Sequence, residues 1–414
     1  MPFEISLLNV NHRNSADDLE RAVRDQPHGR TRYPPPRLPM LPSISPAFAG
    51  RQSNDAFTSA FWQDGAVWCA RGCDALVLVL RAAGMTGADR ILVPAFHCPS
   101  VPAAVRGAGM QPDFYRINAN LTPVMEDVGR QLQDGARALL LIHYFGFRQD
   151  AEPYRRLCDQ HGALLIEDCA HTFFGRSGDP LPGALGHYAI ASTRKLFPLP
   201  DGGAAISASG DLDQHLLSPV SWADEGRCVL STIQRAADAD RLGFLSRPTS
   251  GTLSYIDRLR RTSAARSRLT TDSAPGRPGG TPGGTTLRKM SRVARHLMRL
   301  TDIERLTRVR RLNYTALLRG SRSFRGCTPL FPELPPDTVP YVFPLILREP
   351  ARMFPALKNR RVPIFRWEHI DGLGCPVTDA YEAQLIQLPC HQELAPEDIE
   401  WILEELHQVA GSHR

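Results

Sequence analysis

Two short runs with no polar residue, Ala138-Leu139-Leu140-Leu141-Ile142 and Ala163-Leu164-Leu165-Ile166, constrain this chain most. A strand with one wet face alternates apolar and polar side chains, so an unbroken apolar run fits a strand covered on both faces. Arg90–Pro94, Pro112–Ile117, Tyr188–Ser192 and Ala204–Ser207 read as further strands, separated by helical segments such as Leu76–Ala83. Strands of this kind alternating with helices predict an α/β fold built on a mostly parallel central sheet.

The chain has 414 residues, more than one core usually serves, so two domains are expected. Residues 1–50 read as an N-terminal extension. In it a short helix at Ala16–Arg24 precedes the proline-rich stretch Tyr33–Pro39, which cannot lie inside a helix. Residues 51–320 form the expected large domain. It includes an Arg-, Gly- and Pro-rich insertion near 263–287, too poor in apolar side chains to order itself, and then a helical stretch over 288–318. Residues 321–414 form the expected smaller C-terminal α/β domain. Its elements are a strand at Val339–Leu347, a helix at Ala351–Asn359, a strand at Val362–Trp367 and a closing helix at Pro396–Val409. Proline suits the first turn of that last helix.

Composition removes several function classes. The apolar runs are too short to span a bilayer, and Met1–Ile5 has neither the basic start nor the apolar stretch of a signal peptide. Nine cysteines without paired metal-ligand spacing suit reduced thiols, hence a cytoplasmic setting and no metal site. The net charge of +6 is uneven: Tyr255–Arg311 carries 14 arginines and one lysine against four acids. No aromatic residues interleave those arginines as a base-stacking platform would require, so the block reads as a solvated face and nucleic acid is not an expected partner.

Only three lysines occur beside 46 arginines, and Lys195 is one of them. A lysine amine can lose its proton and condense with an aldehyde; a guanidinium stays charged and does not. Lys195 closes Ser192-Thr193-Arg194-Lys195, lies before Asp201-Gly202-Gly203, and follows the acid of Ile166-Glu167-Asp168 by 27 residues. An amine and a carboxylate at the ends of neighbouring apolar strands suit pyridoxal 5'-phosphate, which needs a lysine for its aldehyde and an acid facing its ring nitrogen. Arg71-Gly72-Cys73-Asp74 leads into a helix whose free N–H groups can hold a phosphate, and the Ser192 hydroxyl can join them.

From about Trp68 to Gly203 the sequence resembles the DegT/DnrJ/EryC1/StrS sugar aminotransferases. The matching stretches are Gly72–Leu76, Ile91–Phe96, His143-Tyr144-Phe145-Gly146, Ile166–His171 and Lys195–Gly203. The likeness resumes at Arg310–Tyr314, Phe343-Pro344-Leu345 and Leu388-Pro389-Cys390-His391. It implies the fold-type-I architecture of pyridoxal-phosphate enzymes and a homodimer. Lys195 would be the catalytic lysine, Asp168 the partner of the ring nitrogen, and His171 a neighbour of the phenolic oxygen. Gly72, Cys73, Asp74 and Ser192 would hold the phosphate, and His97 would stand where the family stacks an aromatic ring on the cofactor. The implied reaction is ping-pong transfer of an amino group from glutamate or glutamine to a keto group on a nucleotide-linked sugar, within amino-sugar or polysaccharide synthesis. Two departures stand out: the stretch joining Ser192 to Lys195 is two residues shorter than in most members, and the asparagine-bearing segment that reaches the neighbouring subunit has no counterpart. A pyridoxal-phosphate lyase or dehydratase and a non-catalytic scaffold in glycan assembly remain alternatives; Lys195 speaks against dehydratases that carry histidine there.

Overall fold

The computed structural model describes residues 33–50, 56–241, 286–370 and 374–411. Every element below belongs to the unit Pro35–Arg414. The strands, in chain order, are β1 (Phe57–Thr58), β2 (Val67–Cys69), β3 (Arg90–Pro94), β4 (Gln111–Tyr115), β5 (Ala138–Ile142), β6 (Leu164–Asp168), β7 (Gly175–Arg176), β8 (Tyr188–Ala191), β9 (Gly203–Ser207), β10 (Cys327–Pro329), β11 (Val342–Leu347) and β12 (Leu385–Pro389).

Seven strands form the central sheet in the order β2-β9-β8-β6-β5-β3-β4. From β4 through β3, β5 and β6 to β8 all pairs are parallel, and β9 runs against both β8 and β2. The unbroken apolar runs are explained by the two cores this sheet separates. Leu139, Leu141 and Leu165 pack on one face with Val128, Leu132 and Cys158. Ala138, Leu140 and Ile166 pack on the other with Leu76, Leu80 and Val105. Alternate residues of one strand therefore bury into opposite cores, each leucine adding roughly 1.5–3 kcal/mol. A three-stranded antiparallel sheet, β10-β11-β12, follows in the C-terminal part. No helix among the described residues is long and apolar enough to cross a membrane.

The first helix begins at Gly72, four residues before the start expected from the apolar pattern, and runs to Ala82. The helical stretch 288–318 is two helices, Arg292–Leu300 and Ile303–Ser321. Asp302 breaks it: its carboxylate accepts from the Arg305 N–H at 2.8 Å, and its own N–H donates to Phe48 O at 2.8 Å. Val362–Trp367 is not a strand. Pro363 has no N–H to give, Ile364 spends its own on the Val362 carbonyl, and only the bridge Phe365↔Gln387 remains. The closing helix is Pro396–Ala410, with proline in its first turn. The expected helix Ala16–Arg24 and nearly all of the insertion 263–287 lie outside the described residues.

Tyr314, Asn313 and Arg310 share one face of the helix Ile303–Ser321. Asn313 donates to His391 O at 3.1 Å, and Tyr314 donates to Phe331 O at 3.1 Å. His391 is buried, accepts from the Glu393 N–H and donates through Nε2 to Pro39 O at 3.0 Å. Burial drives its pKa from 6.5 down to about 3. A depressed folded pKa contributes stability that is present above the unfolded value and lost as pH falls. His391→Gln is therefore expected to flatten the loss of Tm between about pH 6.5 and 3; an unchanged acid limb in a thermal melt would contradict this assignment.

Candidate active site

Asp168 ends β6, and its strand neighbour Ile190 leads two residues later into Ser192. The preceding Glu167 points to the other side of the sheet, where it is satisfied as a structural acid. It accepts from His143 Nε2 at 2.8 Å and from the N–H groups of Gly183, Leu185 and Gly186 at 3.1, 2.8 and 2.6 Å. Asp168 is different. Its Oδ1 accepts from the Ala170 N–H at 2.9 Å, and among the described residues Oδ2 has no hydrogen-bond partner. Burial raises its pKa, and the Lys195 charge pulls it part of the way back.

Lys195 closes the turn Thr193–Lys195 just after β8. Its Nζ lies 5.7 Å from the centre of the Tyr341 ring. Burial lowers the pKa of its amine, Cys98, Asp168 and Cys73 oppose that shift, and Arg194 adds to it. Asp168 and Lys195 thus feel each other's charge, yet they form no direct ion pair. An acid and an amine held apart in this way can each serve a molecule between them.

Asp201-Gly202-Gly203 sets the turn against the first helix. A Cβ at Gly203 would sit 2.2 Å from Arg71 O and 2.7 Å from Gly72 N, so only glycine lets β9 pass this close. A Cβ at Gly72 would meet the Ser192 Cβ at 3.2 Å, so the helix start and the serine abut. Arg71 caps the helix without a side-chain hydrogen bond, and the N–H groups of Gly72, Cys73 and Asp74 have no acceptor among the described residues. The Ser192 hydroxyl is likewise without a described partner. The Asp74 carboxylate is turned away into an ion pair with Arg71 at 2.7 Å, leaving its N–H to the helix start. Uncapped N–H groups, the helix dipole and a free hydroxyl together make an anion cradle.

His171 is buried between aromatic rings: Tyr341 at 4.7 Å, Phe145 at 5.6 Å and Trp367 at 5.8 Å. Its Nδ1 accepts from the Phe145 N–H at 3.2 Å, and burial, then the Lys195 charge, hold its pKa well below 6.5. A neutral imidazole whose Nδ1 accepts must carry its proton on Nε2, which is then a donor.

His97 is not where the sequence suggested. Its ring is wholly buried and lies flat on Phe114, 5.1 Å away at 11°, with Nδ1 donating to Pro94 O at 2.8 Å. The next residue, Cys98, is the one whose sulfur affects Lys195; it sits 3.1 Å from Ser100 Oγ. β3 ends at Pro94, and after the bend at Ala95–Phe96 the His97 ring goes inward. Reading the sequence singled out neither Tyr341 nor Trp367, and gave Arg194 no role. Tyr341 and Trp367 arrive from the C-terminal part, 146 and 172 residues after Lys195, and no spacing marks them.

The residues present fit pyridoxal phosphate: an N–H cradle beside Ser192 for the phosphate, Lys195 for the aldehyde, a partnerless Asp168 oxygen for the ring nitrogen, and a His171 donor.

Residues 53–223 match the model of the DegT/DnrJ/EryC1/StrS aminotransferase family. The chain is 31% identical over 141 residues to a GDP-perosamine synthase of Vibrio cholerae, covering 33% of this chain and 38% of that protein. It is 29% identical over 159 residues to a dTDP-3-amino-3,4,6-trideoxy-alpha-D-glucose transaminase of Streptomyces venezuelae, covering 37% and 41%. The chain thus spans about two fifths of the length of these curated relatives. In fold it is similar to the aminotransferase TlmJ of Streptoalloteichus hindustanus, with a TM-score of 0.60 at 19% identity over 83% of this chain and 85% of that one. It is also similar to AtS13 of Actinomadura melliaura, with a TM-score of 0.61 at 15% identity over 91% and 100%. The fold is shared with these solved structures, and residues 53–223 are similar in sequence to the DegT/DnrJ/EryC1/StrS aminotransferase family.

Proposed function

We propose that this chain is a pyridoxal-phosphate aminotransferase that moves an amino group from glutamate or glutamine to a keto group on a nucleotide-linked sugar. The observation that carries this reading is the separation of Lys195 from Asp168 beside the uncapped helix start at Gly72. Bound there, the cofactor supplies a covalent hold on amines and an electron sink for the carbon that loses its proton.

The remaining work falls to the chain. The N–H groups of Gly72, Cys73 and Asp74, with Ser192, hold and orient the phosphate. Asp168, whose charge Lys195 favours, would face the ring nitrogen and favour its protonated form. His171 donates from Nε2 toward the phenolic oxygen. Lys195 would hold the aldehyde and would serve as the base and acid that moves a proton between the substrate carbon and the cofactor. Burial lowers the pKa of its amine and so favours the neutral form relative to an exposed lysine. Tyr341 and Trp367 cover the site and keep water from it. The nucleotide-sugar acceptor is inferred from the names of the relatives, since GDP-perosamine and dTDP-amino-sugar enzymes are among them. A cytoplasmic homodimer making amino sugars for a surface glycan is part of the same proposal.

The test is a single-turnover assay on the full chain loaded with pyridoxal phosphate and mixed with glutamate, without acceptor. About one 2-oxoglutarate per chain is expected, and a keto-sugar nucleotide should then accept the nitrogen. A loaded protein that yields no oxoacid from glutamate and none from glutamine contradicts the transaminase reading and favours a binding scaffold.

A further inference from the structure

Among the described residues, Arg310 is the largest side chain that the fold buries completely. It lies on the helix Ile303–Ser321, far from the acid–amine pair in sequence, and among the described residues no carboxylate forms an ion pair with it. The nearest acid named in its electrostatics, Glu393, is held by Arg305 at 2.8 Å. Its guanidinium instead meets five oxygens. Nε donates to Gln392 Oε1 at 2.9 Å, one Nη donates to Pro340 O at 3.2 Å and Tyr341 O at 3.0 Å, and the other donates to Lys195 O at 3.3 Å and Leu196 O at 3.1 Å. Gln392 also donates to Leu196 O at 3.0 Å.

A buried cation costs several kcal/mol of solvation, which polar neighbours recover only when the geometry is fully satisfied. What this one joins is informative. One half of the fork holds the backbone of the lysine that the proposed chemistry uses. The other half holds the segment whose ring stands over that lysine. From Tyr341 the chain of bonds continues: its N–H donates to Phe145 O at 2.8 Å, and the Phe145 N–H donates to His171 Nδ1 at 3.2 Å. Lys195, Tyr341 and His171 are thus fixed to one another through backbone groups and a single guanidinium. Only arginine offers donors in a rigid fork wide enough to serve both segments.

We propose that Arg310 is a positioning residue, registering the backbone of Lys195 against the Tyr341–His171 wall. The role rests on the transaminase reading above, but the geometry can be tested apart from it. The groups that face the Lys195 amine are Asp168 from β6, His171 after it, Cys73 from the first helix, Cys98 after β3, Arg194 from its own turn, and Tyr341. If the turn loosens, the amine moves toward water and becomes an ordinary lysine.

The experiment compares wild type with Arg310→Lys in the full chain, with and without pyridoxal phosphate. Without cofactor, Lys195 is dimethylated with formaldehyde and cyanoborohydride over a pH series and its peptide is quantified by mass spectrometry. With cofactor, oxoacid release from glutamate is timed. Arg310→Lys is expected to label Lys195 about tenfold more slowly near neutral pH, and to lose about a hundredfold in kcat with little change in KM for the donor. A folded variant with wild-type labelling and turnover overturns the proposal, and so does one that only melts earlier while both readouts stay put. If Arg310→Lys does not fold, Gln392→Leu takes its place; it removes the Leu196 brace and leaves the other carbonyl contacts of Arg310. It is expected to show the same two changes at about fivefold each, and wild-type values for both overturn the proposal. A wild type that cannot load cofactor sinks the transaminase reading instead, while the labelling comparison still decides the role of Arg310.

Discussion

Lys195→Ala is expected to lower amino transfer at least about 10⁴-fold, because the variant loses both the covalent anchor and the proton carrier. It is also expected to fold. Among the described residues the Lys195 amine has no hydrogen bond or ion pair, so alanine breaks no direct bond and removes only the charge attraction to Asp168. The Lys195 carbonyl, which Arg310 holds, is unchanged by the substitution. Leu196, Phe197 and Leu199 keep the following turn in the core. Tm should therefore stay close to the wild-type value in a thermal melt while steady-state turnover disappears. Turnover within tenfold of wild type would remove the lysine from the chemistry. Lys195→Arg should be equally inactive, since guanidinium keeps its proton.

Asp168→Asn separates catalysis from stability more sharply. The amide can still accept from the Ala170 N–H but carries no charge for a ring nitrogen, so turnover should fall roughly 10²–10⁴-fold. Stability should move the other way. Burial raises the pKa of Asp168 above its ordinary value, despite the pull of Lys195. A group whose folded pKa is raised contributes stability below its unfolded value and loses it as pH rises through the folded one. An ionised Asp168 is therefore an unfavourable buried charge that the variant lacks. The variant should melt at the same temperature or higher at pH 7, with the difference shrinking as the pH is taken below the folded pKa. A variant that is inactive because it is unfolded at pH 7 would contradict this account.

Much of the site could be read along the chain because its parts are local. Apolar runs placed β5 and β6, and the end of β6 placed Asp168. A glycine that must let β9 pass within reach of Arg71 marked the segment after Lys195. Strand and helix ends moved by a few residues where a side chain decided them, as Asp302 does in dividing one long helix into two. What could not be read were contacts with no sequence period. His97 and Cys98 are adjacent, and which one faces the lysine depends on how the chain turns after Pro94. Tyr341 and Trp367 reach His171 only through the packing of the C-terminal part onto the central sheet. Arg310 looks like one more arginine among 46 until its five acceptors are known. Val362–Trp367 has the composition of a strand, yet Pro363 and the turn at Ile364 deny it a ladder.

The most direct measurement is to reduce the yellow, cofactor-loaded full chain with borohydride, digest it, and locate the pyridoxyl group by mass spectrometry. The account predicts the label on the peptide carrying Lys195 and on neither of the two other lysines, Lys289 and Lys358. A label on either of those, or a protein that binds the cofactor without any lysine being modified, would contradict it.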